Sequence, residues 1–379
     1  MIYLSMTSLA GKRRLLAAML LCGALLPGVS ASEEQPAAAT DAASQTQPAA
    51  VSPKPEELVW PSPPEQPRVR YLGSINNPDD LGRKKGFWRK VWEFFRGDES
   101  EEDIVRPMSV AVDSQDRVIV ADSARNRVHI FDRKTAEYSS ITGTGNELLV
   151  LPIGLTVDAK DNIYVASGAS RIFVFKPDGS YDHELDAMKW LGRPSGLAID
   201  KKRQILYIAD APSHAVRVYD LVERTLLKTL GTRGEGKGEF NYPAFVAVDN
   251  AGRLYVTDAM NSRIQIFDAN GNFLSTFGKK GDGAGDFAAP KGVVVDSEGH
   301  IYVADAEFDN IQIFNGNAPL LFIGTSGQAA GMFWMPTGLF MDGQDRLYVA
   351  DSYNNRVQIF QYLKDTANTA TKIKVGVAK

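Results

Sequence analysis

From Pro107 to Phe360 the chain alternates short apolar runs with polar turns in one fixed order. A proline opens each unit, and a short apolar run ends on Asp. A polar turn, a second apolar run ending on Asp and a third run closing on an aromatic follow. The clearest copy reads Pro336-Thr-Gly-Leu-Phe-Met-Asp342, then Arg346-Leu-Tyr-Val-Ala-Asp351, then Arg356-Val-Gln-Ile-Phe360. The others open at Pro107, Pro152, Pro194, Pro243 and Pro290, in steps of 45, 42, 49, 47 and 46 residues. The first unit shows the predicted strands: Val110–Asp113, Val118–Asp122 and Val128–Phe131, rich in β-branched and aromatic residues and separated by turn formers. A fourth strand follows in the better copies, as at Phe273–Phe277.

Runs such as Leu254–Thr257 and Ile301–Ala304 have no polar alternation, so they need cover on both faces. Six such units at this period predict an all-β fold, a six-bladed β-propeller of four-stranded antiparallel blades. The last unit lacks a convincing fourth strand, while Arg68–Ile75 has strand character and no unit of its own. The N-terminal strand is therefore expected to complete the sixth blade and close the ring, which removes exposed sheet edges.

Tyr-Val-Ala-Asp or similar blocks stand at 119–122, 207–210, 255–258, 302–305 and 348–351, with Arg-Val/Ile-Gln-Ile-Phe blocks at 263–267 and 356–360. Over roughly residues 68–362 the chain resembles the NHL-repeat family of six-bladed β-propellers. Some relatives of this fold are peptide-amidating lyases, and lactonases use similar rings, with active sites drawn from inward His, Asp, Asn or Glu near the channel. Here the innermost strands carry Ser109, Ala111, Gly154, Gly196, Ala198, Phe245, Ala247, Gly292 and Gly338 instead. His129, His183, His214 and His300 lie in separate units without metal-ligand spacing, and no Gly-x-Ser-x-Gly is present. No catalytic residue, metal or cofactor is expected. A metal-dependent lyase or lactonase-type enzyme with a channel site stands as the alternative.

Asp122, Asp258 and Asp351 each precede an arginine by five positions, Arg127, Arg263 and Arg356, which predicts structural ion pairs across tight turns. Glycine-rich loops at 231–240, 278–287 and 324–333 lead from an outer strand to the next blade. They do not enter a helix and lack a Gly-Lys-Ser/Thr ending, so phosphate binding is not implied. Their glycines serve positive φ, and Phe240, Phe287 and Phe333 are expected to plug between blades.

Departures from the repeat are not demanded by the fold. Ser167 replaces the expected Asp in the second unit, ahead of Arg171; the third unit has His214, and the fifth has Phe308 and Asp309. These second-to-third-strand turns emerge on the same face as the blade-to-blade loops, which predicts a loop-rich working face. Arg125, Ser167, Arg171, His214, Met260, Phe308, Asp309 and Tyr353 are its candidate partner contacts. The insertion 76–106 joins it and adds Trp88, Trp92 and Phe95. There Phe87, Trp88, Val91, Trp92, Phe94 and Phe95 fall within about 160° of one short amphipathic helix, opposite Arg89, Lys90, Glu93 and Arg96. A helix over 83–97 can cover the propeller mouth, receive a partner, or make peripheral membrane contact.

The chain has 379 residues and a net charge of −4. Lys12, Arg13 and Arg14, the apolar stretch Leu15–Leu26 and Val29-Ser30-Ala31 predict a cleavable export signal over 1–31, with lipidation at Cys22 or retention as alternatives. An Ala/Pro/Gln-rich tether over 32–57, a propeller over 58–363 and a polar tail over 364–379 complete the expected domain order. Cleavage takes the net charge to −7 and removes the single cysteine, which argues against nucleic-acid binding, disulfides and thiol catalysis. These features, with the resemblance, imply an exported bacterial protein, periplasmic or extracellular, with N-terminal membrane tethering as an alternative. The expected role is a non-catalytic, monomeric scaffold that binds a protein partner in the cell envelope. A purely structural envelope component is the further alternative.

Overall fold

The computed structural model describes residues 58–82, 101–185 and 191–364. The export signal, the tether and the helix expected over 83–97, with Trp88, Trp92 and Phe95, lie outside these residues. Within the insertion, the described part holds a short 3₁₀ turn, Pro78–Leu81, capped by Asn77.

Two strands, β1 (Val59–Trp60) and β2 (Val69–Ile75), precede the first blade, which consists of β3 (Pro107–Val112), β4 (Arg117–Asp122), β5 (Arg127–Asp132) and β6 (Glu137–Ile141). Strands β7–β22, residues 152–323, build blades two to five in the same inner-to-outer order. Blade six is β23 (Pro336–Met341), β24 (Arg346–Asp351) and β25 (Arg356–Tyr362), and β2 then pairs antiparallel with β25. The N-terminal strand thus closes a six-bladed ring, as the sequence predicts. Strand β1 adds a fifth strand outside β2, which the sequence pattern did not signal. It brings the half-buried Trp60 edge-on to Phe360 at 5.7 Å.

The apolar clusters lie between successive blades. Tyr207, Val216 and Val218 of blade three pack with Val246, Leu254 and Val256 of blade four around Phe240. Phe287 and Phe333 fill the next two junctions, and all three phenylalanines are fully buried. Gly231 makes one plug possible: its φ is +82°, and a Cβ there would lie 2.2 Å from the Phe240 ring.

At the axis, inner strands touch backbone to backbone. A Cβ on Gly196 would sit 2.6 Å from the Phe245 Cα, and one on Gly338 would sit 2.7 Å from the Ser109 Cα. These small residues therefore permit close approach of neighbouring blades. Every inner strand also shifts register after its opening proline, so that the proline faces the last residue of the second strand.

Candidate functional site

That register sets the geometry of the loop-rich face. Pro107 pairs with Asp122, Pro243 with Asp258 and Pro336 with Asp351. Each carboxylate accepts from the incoming blade-to-blade loop. Asp122 accepts from the Val105 and Arg106 amides at 2.6 and 3.1 Å, Asp258 from Asn241 at 2.6 Å, and Asp351 from Trp334 at 2.8 Å. Arg263 bonds Asp258 at 2.7 Å and Arg356 bonds Asp351 at 2.8 Å.

The third expected pair, Asp122–Arg127, does not form. Arg127 donates to the Glu101 carbonyl at 2.8 Å, and His129 brings Nε2 to 3.4 Å from Asp122. In blade three the cation arrives from the same later position, as Arg217 at 3.0 Å from Asp210. Burial pushes the carboxyls of Asp122 and Asp351 up. At Asp351 it prevails; at Asp122 the neighbouring His129 imidazole and the Val105 and Arg125 amides outweigh it and hold the group below its ordinary value.

The turn that follows carries one left-handed residue per blade: Asn126, Ser170, His214, Ser262, Asp309 and Asn355, with φ between 50° and 63°. Four of them reach the next blade's loop. Asn126 accepts from the Leu151 amide at 2.8 Å, His214 Nδ1 from Tyr242 at 3.3 Å and Asp309 from Met335 at 2.7 Å, while Ser170 donates to the Gly192 carbonyl. Leu151, Tyr242 and Met335 are themselves left-handed and directly precede an inner-strand proline, a backbone that needs such outside support. His214 and Asp309, predicted as partner contacts, are therefore also inter-blade staples.

The other predicted contacts separate by exposure. Ser167 is 1% exposed and donates to the Val150 carbonyl at 2.8 Å, so no partner touches it directly. Arg171 is held by Glu184 and Glu147, which raise its pKa, and lies over Phe173 at 4.6 Å. Arg125 and Phe308 are half-buried, whereas Met260 and Tyr353 are 69% and 44% exposed.

Sequence reasoning missed most of the apolar surface here. Eight of the fifteen exposed large apolar side chains among the described residues lie on this face: Leu148, Val150, Leu151, Tyr242, Met260, Met332, Trp334 and Tyr353. Trp334 and Tyr353 rings stand 5.6 Å apart, and the Arg106 guanidinium lies 5.3 Å over Tyr353. A usable signal was present, because Leu151 and Tyr242 immediately precede the repeated proline and Trp334 precedes it by two.

A family model described as an NHL repeat matches residues 105–131 and 333–360, the first three strands of blades one and six. The chain carries NHL repeats. A second model, described as a 6-bladed beta-propeller, matches 237–315. This NHL propeller is similar to chicken NHL repeat-containing protein 2, 34% identical over 94 residues, 22% of this chain and 13% of that protein. It is also similar to a probable peptidyl-alpha-hydroxyglycine alpha-amidating lyase of Caenorhabditis elegans, 36% identical over 85 residues, 21% and 24% of the two chains. The match thus spans a quarter or less of either relative. A Bacteroides thetaiotaomicron protein of unknown function has the same fold, with a TM-score of 0.57, 16% identity and coverage of 78% and 75%.

The opposite face of the NHL propeller is built differently. Each inner strand, or the residue just past it, ends in Asp113, Asp158, Asp200, Asp249, Asp296 or Asp342, and each carboxylate accepts two amides of its own hairpin turn. The second oxygen takes a side chain: Arg253 on Asp249 at 2.6 Å, His300 on Asp296 at 2.9 Å. The Asp296 bond outweighs burial and raises the His300 pKa. A channel cavity of about 600 Å³ opens here, walled by Val157, Val248, Val295 and Phe340. Among the described residues, no three His, Cys, Asp or Glu side chains are grouped to hold a metal.

Proposed function

We propose that this NHL propeller is an exported, non-catalytic scaffold whose loop-rich face binds a protein partner of the cell envelope. One observation carries the reading. Exposed apolar side chains concentrate on that face, on loops pinned by buried carboxylates and inter-blade staples. Rigid aromatic and aliphatic anchors lose little entropy on docking, and Tyr, Trp and Arg are the side chains that most often dominate protein interfaces. Trp334, Tyr353, Arg106 and Met260 supply that chemistry, so the expected partner surface presents aliphatic and aromatic groups.

The test is a crosslinking pull-down from the native envelope with three forms of the protein. Wild type and Leu274→Asp, changed on an outer strand, are expected to capture the same partner. The double variant Trp334→Asp/Tyr353→Asp is expected to lose it. Retention by the double variant, or equal loss with Leu274→Asp, overturns the reading.

The competing reading, a channel enzyme of lyase or lactonase type, draws on the likeness to the nematode lyase. Stoichiometric calcium or zinc in purified protein, with metal-dependent melting, would move the function to the channel.

A further inference from the structure

The crevice between blades two and three exists because one side chain of the repeat is missing. In four blades an arginine beyond the inner-strand Asp fills this place. Arg117 bonds Asp113 at 2.6 Å, Arg203 bonds Asp200 at 2.6 Å, Arg253 bonds Asp249 at 2.6 Å and Arg346 bonds Asp342 at 2.5 Å. Arg253 and Arg346 also lie 5.9 Å over Tyr255 and Tyr348. Blade two has Asn162, whose short amide reaches Asp158 at 2.8 Å and goes no further.

The facing wall is reduced as well. At the junction of blades six and one, Asp116 and Arg133 of the first blade cover Tyr348, with Arg133 2.9 Å from its hydroxyl. At the junction of blades two and three, Gln204 and Leu221 stand in those places. A cavity of about 250 Å³ results, with Asp158 and Tyr164 inside, Leu185, Ile199 and Leu221 along its walls, and exposed Lys160, Lys201 and Arg224 at its rim beside an Asp182 that is bonded to His183.

We propose that this cavity binds a guanidinium joined to a carboxylate by a short aliphatic stem: free arginine or the C-terminal arginine of a peptide. The guanidinium takes the place against Asp158 and the Tyr164 ring that the chain's own arginines occupy in other blades. The stem lies along Leu185, Ile199 and Leu221, and the carboxylate meets the cationic rim. The site lies on the face opposite the partner-binding loops and is independent of them.

Calorimetric titration of the full protein tests the assignment. L-arginine or an arginine-terminated peptide is expected to bind one to one. Citrulline, agmatine and the amidated peptide, each lacking one of the two charges, should bind at least about tenfold more weakly. The stronger of the two binding forms identifies the source. Asn162→Arg and Leu221→Arg each refill the cavity from one wall; both should lose binding about tenfold or more, and at least one should melt above wild type. Equal binding of citrulline, unchanged binding in whichever filled variant folds, or no binding of either arginine form overturns the proposal.

Discussion

The two faces of this ring are made by the same six four-stranded units, yet they spend their polar groups differently. On the loop-rich face the Asp ending the second strand in five of the six blades is buried and accepts from the loop that enters its own blade, as Asp351 accepts from Trp334. On the opposite face the Asp closing each inner strand accepts from its own turn, as Asp249 does from Ala251 and Arg253. Carboxylates therefore pin each incoming loop to its blade, the left-handed staples tie it to the blade before, and together they hold loops that carry exposed Trp334, Tyr353 and Met260. The other face closes its turns locally, adds cross-blade bonds such as Ser114 to Asp161 and Ser297 to Asp345, and leaves little apolar surface outside its cavities.

The largest effect should come from removing what both faces share. Deleting residues 68–75 takes away β2 and opens the ring, and the product is expected to aggregate or unfold; a folded monomer on size exclusion with a native circular-dichroism spectrum would break the closure argument. Next, Asp351→Ala leaves the buried Arg356 unpaired and should cost roughly 3–5 kcal/mol in urea unfolding. Asp249→Ala leaves an Arg253 that is 46% exposed and should cost only about 1 kcal/mol. Equal losses would erase the distinction between faces.

Smaller still, Asp309→Ala frees the Met335 amide and should lower stability by about 1 kcal/mol. The double variant Trp334→Asp/Tyr353→Asp should leave the melting temperature nearly unchanged, because both rings are already exposed.

The smallest effect is a pH dependence confined to the opposite face. The His300 pKa is raised in the folded state, so its stabilising contribution is complete below the unfolded value of 6.5 and is lost as pH rises through the folded one. The stability difference between wild type and His300→Gln should therefore shrink above pH 6.5, and a constant difference from pH 5 to 9 would remove His300 from the account.

The ring was legible because its evidence is periodic: six prolines at nearly equal steps, and a strand too many at one end where one was missing at the other. The site was legible only as a face. Ser167 looked like a surface departure but is buried, since losing the carboxylate did not move the position. His214 and Asp309 also departed from the repeat, yet both fill one left-handed slot that several polar residues can serve. Arg127 failed its predicted pair because His129 took the place beside Asp122, and side-chain competition of that kind is invisible in spacing alone. The residues ahead of each proline were in plain sight, but nothing in one sequence says that a blade-to-blade loop leaves them exposed.

The sharing of blade six between β2 and β25 also makes the molecule topologically indifferent to where it starts. The Leu363 amide donates to the Arg68 carbonyl at 2.7 Å, so the two ends of the ring already meet. Joining them through a short linker and cutting the connection between β6 and β7 would give a circular permutant with every blade made from consecutive strands. Such a chain should keep the fold with its seam moved to another blade junction.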